Sequence, residues 1–446
     1  MTEVLSFVDE GLGHSSYLVD LGGGRALVVD PPRVVDRHVG EARARGLEIV
    51  LTADTHSHAD YVSGSPELAA RGATFLGSSG AHLQVAHRAV AAGDEIELRP
   101  GLILQAIATP GHTPDHLAYL LCEGGHPTAL FSGGSLMVGT VGRTDLLGTD
   151  LRDGLARRLY RALRDGILTL PDDVVVYPTH GAGSFCSAPG SAERTTTIGR
   201  ERATNPMLAA PDEDNFVEQL VAGFGSFPTY FSRLPEVNRL GPRLYATQPT
   251  LERLTITQTR ELLANDAVLV DVRRIDNFAR GHIPGALSIE LRLVFASWLG
   301  WLVESERPLV FVLDDDQDRS DLVRQCLSVG YDHLAGELDR GMAAWRTDQL
   351  PEEQIALVGP DALAPTILDV RQQNEYVAGH VLGALNVELG SLLDSVDDLP
   401  AGPISVMCGH GERAMSAASR LTARGRTEVS VLAGGPADCV AAGILV

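Results

Sequence analysis

Two stretches of this chain repeat one another at a fixed distance. Residues 267–291 read AVLVDVRRIDNFARGHIPGALSIEL, and residues 365–389 read PTILDVRQQNEYVAGHVLGALNVEL. Asp271 and Asp369, His282 and His380, and Gly285 and Gly383 each lie 98 residues apart, and Ala335-Gly336 and Ala433-Gly434 keep the offset. That period is one small domain, too long for a solenoid unit. In each copy an apolar run (268–270; 367–368) predicts a buried parallel strand. A polar helical segment, a Gly-rich turn and a second strand follow, the alternation of a doubly wound α/β sheet. The copies span 251–352 and 353–446.

Residues 1–205 read differently. Short strands are expected at 17–21, 26–29, 49–52, 102–108, 117–122 and 129–132, with a helix at 151–163, the pattern of a two-sheet α/β sandwich. Residues 206–250, rich in Pro and aromatics, read as a helical extension and connector. The net charge of −22 and pI of 5.0 argue against nucleic acid or anionic membrane as partners, since both need a basic face. Five sparse cysteines without a CxxC favour free thiols in a reducing compartment. With no signal peptide and no apolar run of spanning length, the expected location is cytoplasmic. A homo-oligomer is left open.

The first half carries a cluster of strand-end histidines. Thr55 to Tyr61 reads THSHADY; His112 follows Thr109-Pro110-Gly111, and His180 follows Tyr177-Pro178-Thr179. Loops at strand ends are where a rigid scaffold presents ligands. With Phe131-Ser132-Gly133-Gly134-Ser135, these segments resemble the metallo-β-lactamase superfamily, which implies an αββα sandwich. The superfamily pattern places a His at Tyr61 and an Asp at Gly134, so a two-metal site is not expected. The resemblance assigns His56, His58 and His112 to one divalent metal, with Asp60 and His180 close by. Gly142-Arg143-Thr144-Asp145 and Gly13-His14 bring the segment nearest to the persulfide dioxygenase branch. That branch holds one Fe(II) with two His and an Asp, here His56, His112 and Gly134. Glycine cannot ligate, so Fe(II) would need His58, Asp60 or water as a substitute, while the three histidines suffice for one Zn(II) with an open position. Arg143 reads either as an anchor for an anionic substrate or as a structural ion pair. Cys186, six residues after His180, reads as a persulfide carrier or as an inert buried thiol.

The second copy of the repeat contains ISVMCGHGER at 404–413. An apolar strand delivers Cys408 to a helix start, where backbone N–H groups and the helix dipole favour a thiolate. Gly409, His410, Gly411 and Glu412 form the loop, closed by Arg413. The Cys-x4-Arg spacing resembles the rhodanese family. Related phosphatases use a loop one residue longer, so sulfur transfer through a Cys408 persulfide is expected. In the first copy, counting back from Arg319 puts Asp314 where Cys408 stands, which implies an inactive spacer or docking domain.

The resemblance therefore implies an α/β multidomain enzyme of sulfane-sulfur metabolism: a persulfide dioxygenase-like sandwich fused to an inactive and an active rhodanese. Small thiols, persulfides, thiosulfate or sulfite are the expected partners. A sulfurtransferase with a metal-free N-terminal binding domain, a persulfide sensor and a Zn-dependent thioester hydrolase are the alternatives.

Overall fold

The structure is a computed structural model that describes residues 2–186 and 193–444. It divides into two compact units, Met1–Gln248 with Leu327–Gly330, and Pro249–Cys326 with Tyr331–Val446.

The first unit holds two six-stranded sheets. One runs Val4–Asp9, His14–Gly22, Arg25–Val29, Glu48–Ala53, Thr74–Ser78 and Arg88–Val90 in chain order. The other runs from Glu95–Arg99 through Leu102–Ala108, Leu117–Glu123, His126–Gly133 and Val175–Pro178 to Thr196–Thr197. Alternation along the strands explains the layering. Tyr17, Val19 and Leu27 of the first sheet meet Leu104, Tyr119 and Phe131 of the second in one core. Leu18 and Val28, one residue out of phase, face the other way with Val35 and Ala42. On the far side Leu120 and Leu130 pack with Ala156, Leu159 and Leu163 of the helix Thr149–Asp165. Successive strand residues point to opposite faces, so two sheets covered by helices follow from the sequence pattern. The result is an αββα sandwich.

The segment 206–250 is more than a connector. Its helix Glu213–Ala222 places Phe216, Val217 and Leu220 in the core beneath Thr149–Asp165. Its helix Leu234–Leu240 places Asn238 beneath the THSHADY loop. There Asn238 Nδ2 donates to the carbonyls of His58 (2.8 Å) and Tyr61 (3.0 Å), and its Oδ1 accepts from Ser63 N.

In the second unit both repeats form five-stranded all-parallel sheets of identical order. The first is Arg253–Leu254, Leu334–Leu338, Leu309–Val312, Val268–Asp271, Leu287–Ser288; the second is Ala356–Val358, Val429–Leu432, Ile404–Met407, Thr366–Asp369, Leu385–Asn386. The shared Asp-Val-Arg motifs are scaffolding. Arg371 binds Asp369 through two nitrogens and donates to Gly379 O at 2.7 Å, and Arg273 does the same with Asp271 and Gly281. His380 and His282 stack on Tyr376 and Phe278 at 3.8 Å. Among the described residues no helix is long and apolar enough to cross a membrane.

Candidate active sites

The strand Glu48–Ala53 ends at the loop that carries His56, His58 and Asp60, all buried. His112 follows Leu102–Ala108, and His180 follows Val175–Pro178. His56 is the centre: its ring centroid lies 4.2 Å from that of His58, 4.9 Å from His112 and 5.3 Å from His180. Among the described residues three compact donor sets result, each with ligand atoms within 4.8 Å of one another: His56, His58 and His180; His112, His180 and Cys186; and Asp30, Asp54 and His58. The grouping differs from the expected His56, His58 and His112. His180 belongs to the first two sets, and Cys186 is brought into the site.

Asp30 and His116, which sequence reasoning passed over, hold this site together with Tyr61. Asp30, at the end of Arg25–Val29, accepts from Thr55 N (2.7 Å) and Thr55 Oγ1 (2.8 Å), also from Thr179 Oγ1, and meets His58 Nε2 at 3.2 Å. It thereby ties three loops together. Tyr61, where the superfamily has a ligand, donates its hydroxyl to Asp30 O (3.2 Å), lies 3.1 Å from His58 Nε2 and stacks on His14. His116 is sandwiched between His56 and Gly134: it stacks on His56, its Nδ1 meets Thr109 Oγ1 at 2.7 Å, and its Nε2 accepts from Gly134 N at 2.9 Å. Asp30 was legible as an acid closing an apolar strand. His116, four residues past His112, was legible as part of the same loop.

Gly134 has a steric reason. A Cβ there would stand 2.4 Å from Cδ2 of His112, which is fixed by its Nδ1 contact with Arg143 O at 2.8 Å. Arg143 is fully engaged: Nε and Nη2 clamp Asp145 at 2.7 and 2.8 Å, Nη1 donates to Phe185 O and Nη2 to Gly225 O. Its plane also faces Phe224 and Phe227. A guanidinium so occupied positions the 184–186 loop and has little left to anchor a substrate, a correction to the substrate-anchor reading.

Electrostatically the site is split. Burial pushes the pKa of His56 and His116 well down and that of His112 to about 3, and neighbouring imidazoles add to it. Burial opposes charge on His58 too, but Asp30, Asp54 and Asp60 outweigh it and raise its pKa. Burial would raise Asp60; His180, His58 and His14 more than offset that and hold the carboxyl low. Burial first, then Asp60, pushes the Cys186 thiol well up.

A single divalent metal fits these donors. Among the described residues, His112 Nε2, His58 Nδ1 and Asp60 Oδ1 are buried without a hydrogen-bond partner, and His180 Nδ1 faces Asp60 Oδ2 at 3.2 Å. Native interiors seldom leave such groups unpaired, at roughly 1–3 kcal/mol each, unless something else satisfies them.

In the second unit Cys408, only 1% exposed, stands at the end of Ile404–Met407. Gly411 N donates to its Sγ at 3.1 Å, and the helix Glu412–Ala423 begins at once. Gly411 has φ 111°, which a side chain would resist, and a Cβ there would meet Ile275 Cδ1 of the first copy at 2.9 Å. Arg413 pairs with Glu375 through two bonds, 2.6 and 2.8 Å, and lies over the Trp298 ring of the first copy at 5.8 Å. His410 is exposed. Glu375 and Trp298 were not legible, because each lies far from Cys408 in sequence.

The first copy corrects one expectation. Asp369 pairs with Met407 and Asp271 with Val312, so the residue in the position of Cys408 is Leu313; Asp314 is one further on. The first copy's loop is two residues longer before its helix Arg319–Ser328, which shifts any count made back from the arginine. Arg319 donates to the carbonyls of Asp314, Asp315 and Gln317 and pairs with Glu337. No thiol stands in that loop.

These sites and folds define the class: a metallo-β-lactamase sandwich followed by tandem rhodanese-like domains. The family model for the rhodanese-like domain matches residues 255–348 and 351–441. Human mitochondrial persulfide dioxygenase ETHE1 is 31% identical over 205 residues, covering 45% of this chain and 73% of that protein. Hydroxyacylglutathione hydrolase of Synechococcus sp. (strain WH7803) is 32% identical over 166 residues, 35% of this chain and 61% of that one. The crystal structure of a metallo-beta-lactamase from Staphylococcus aureus subsp. aureus COL has 27% identity and a TM-score of 0.67, covering 76% of this chain and 98% of that one. The chain belongs to the persulfide dioxygenase family, fused to two rhodanese-like domains.

Proposed function

We propose that the chain is a sulfurtransferase working through a Cys408 persulfide, joined to a mononuclear metal domain that acts on the same pool of low-molecular-weight persulfides. The observation that carries this reading is Cys408 Sγ at a strand end, accepting the Gly411 N–H at 3.1 Å, directly before a 12-residue helix. Backbone N–H groups and the helix N-terminus stabilise negative charge on a sulfur placed there. With thiosulfate as donor, the Cys408 thiolate attacks the outer sulfur. The new Cys–S bond forms as the S–S bond to the sulfonate sulfur breaks, and sulfite leaves with the electron pair. A second nucleophile, a thiolate or cyanide, then attacks the outer sulfur of the persulfide and regenerates the Cys408 thiolate. Arg413, braced by Glu375, fixes the far end of the loop. The first copy, whose corresponding loop carries no thiol, supplies Ile275 and Trp298 beside the second copy's loop.

In the N-terminal domain His56, His58, His112 and His180, with Asp60, would hold one Fe(II) or Zn(II). Fe(II) there would offer open positions for O2 and a sulfur ligand, whereas Zn(II) would act only as a Lewis acid. Asp30 and Tyr61 orient His58, Arg143 O orients His112, and Thr55 orients His56. Thiosulfate:cyanide transfer, metal analysis and O2 uptake with glutathione persulfide test the reading. Cys408→Ser is expected to abolish transfer and leave metal content unchanged. Transfer retained in that variant would refute the first part, and protein without metal or O2 uptake the second.

A further inference from the structure

We propose that Cys186 is a metal ligand: its sulfur, with His112 and His180 and beside Asp60, forms a mixed nitrogen–sulfur site for one thiophilic divalent cation of the zinc class. The inference rests on the reading that the N-terminal domain holds a metal. The ligand atoms of His112, His180 and Cys186 lie within 4.8 Å of one another, and all three side chains are buried. The buried polar groups point the same way: among the described residues His112 Nε2 has no hydrogen-bond partner, and Asp60 Oδ2 lies 3.2 Å from His180 Nδ1. His180 Nε2 also meets His56 Nε2 at 3.3 Å, which keeps His56 beside the same site.

The sulfur is held in position by backbone contacts. Cys186 N donates to Ser184 Oγ at 3.1 Å. Cys186 O accepts the Arg143 N–H at 3.1 Å, and Phe185 O accepts Arg143 Nη1 at 2.9 Å. His112 Nδ1 meets the carbonyl of the same Arg143. One residue therefore sets both His112 and the Cys186 loop, which explains why its guanidinium is saturated. Charge balance agrees. Position 134 offers no carboxylate, and the His112 ring occupies the space one would need. A thiolate at 186 and the Asp60 carboxylate together neutralise a divalent cation, and the thiol proton leaves to solvent as the sulfur–metal bond forms. A set containing thiolate and imidazole selects zinc-like cations over hard ones.

The test uses the full chain loaded with Co(II) as a spectroscopic probe. Visible d–d bands report bound cobalt, and a near-ultraviolet sulfur-to-cobalt band reports thiolate ligation. Both are expected in the unmodified protein. Cys186→Ser is expected to keep the visible bands and lose the near-ultraviolet one, whereas Cys122→Ser and Cys408→Ser keep both. X-ray absorption at the zinc edge of the unmodified, Zn-loaded protein needs no variant. One sulfur neighbour at about 2.3 Å is expected. Visible bands without the sulfur band, or a zinc shell of nitrogen and oxygen alone, would overturn the proposal and leave metal binding standing. A protein that takes up neither ion would overturn both.

Discussion

Replacing Gly134 by Asp restores the superfamily's carboxylate on paper, and the structure says it will not restore a site. The Cβ alone would stand 2.4, 2.7 and 2.9 Å from Cδ2, Cγ and Nε2 of His112. Ordinary carbon contacts are about 3.5–4.0 Å, so the ring must retreat by about 1 Å. That retreat gives up the contact of His112 Nδ1 with Arg143 O. Overpacking of this kind costs about 1–3 kcal/mol, and a lost buried hydrogen bond adds about 1 kcal/mol. The expected loss is therefore about 2–4 kcal/mol, and Gly134→Ala should show most of it. Hydrogen–deuterium exchange of peptides covering 102–123 reads it as a rise of about 30- to 1000-fold in local opening. Metal content and O2 uptake should not increase in Gly134→Asp. Protection in Gly134→Ala within threefold of the parent, or a gain of O2 uptake in Gly134→Asp, would refute the steric account.

The other predictions are simpler. Glu375→Gln removes the charged partner of Arg413; a charge-assisted bond is worth about 1.5–3 kcal/mol, and thiosulfate:cyanide turnover should fall by about tenfold or more, with Glu375→Asp recovering part of it. Leu313→Cys and Asp314→Cys, made in Cys408→Ser, should restore no transfer, because the longer acidic loop occupies Arg319 internally; steady-state assay checks this. His38, tilted against Phe7 with ring centroids 4.2 Å apart and 2.8 Å from Ser16 Oγ, has its pKa lowered by burial to about 3 from 6.5. Its neutral form is the folded one, so its contribution is complete above pH 6.5. That contribution is lost as pH falls from 6.5 toward 3, because only the unfolded chain takes up the proton. His38→Phe should flatten the stability slope across that window by about 1.4 kcal/mol per pH unit, read by urea denaturation at pH 5 and 7.

The 98-residue repeat, the alternating strands at 17–21, 102–108 and 117–122, and the strand-end histidines were all legible, because each depends on local pattern. Short or half-exposed strands were not: Arg88–Val90 has three residues and Val4–Asp9 buries neither face fully. The Cys408 loop was legible because its residues are contiguous. The bond between Arg413 and Glu375 crosses 38 positions, and Asn238 reaches His58 across 180; no window in the sequence spans such pairs. Leu313 against Asp314 shows the limit of counting. Spacing from Arg319 slipped by one because the loop is longer, and only hydrogen-bond register between strands corrected it. Cys186 was visible as a residue, yet its place beside His112 and His180 comes from the loop that Arg143 holds.

The central claim is that sulfane sulfur is carried on Cys408. Peptide mass spectrometry after brief thiosulfate treatment tests it most directly. The account predicts one added sulfur atom on the Cys408 peptide, none on the peptides of Cys122, Cys326 or Cys439, and none anywhere in Cys408→Ser. An unmodified Cys408 peptide, or an added sulfur that persists in Cys408→Ser, would contradict it.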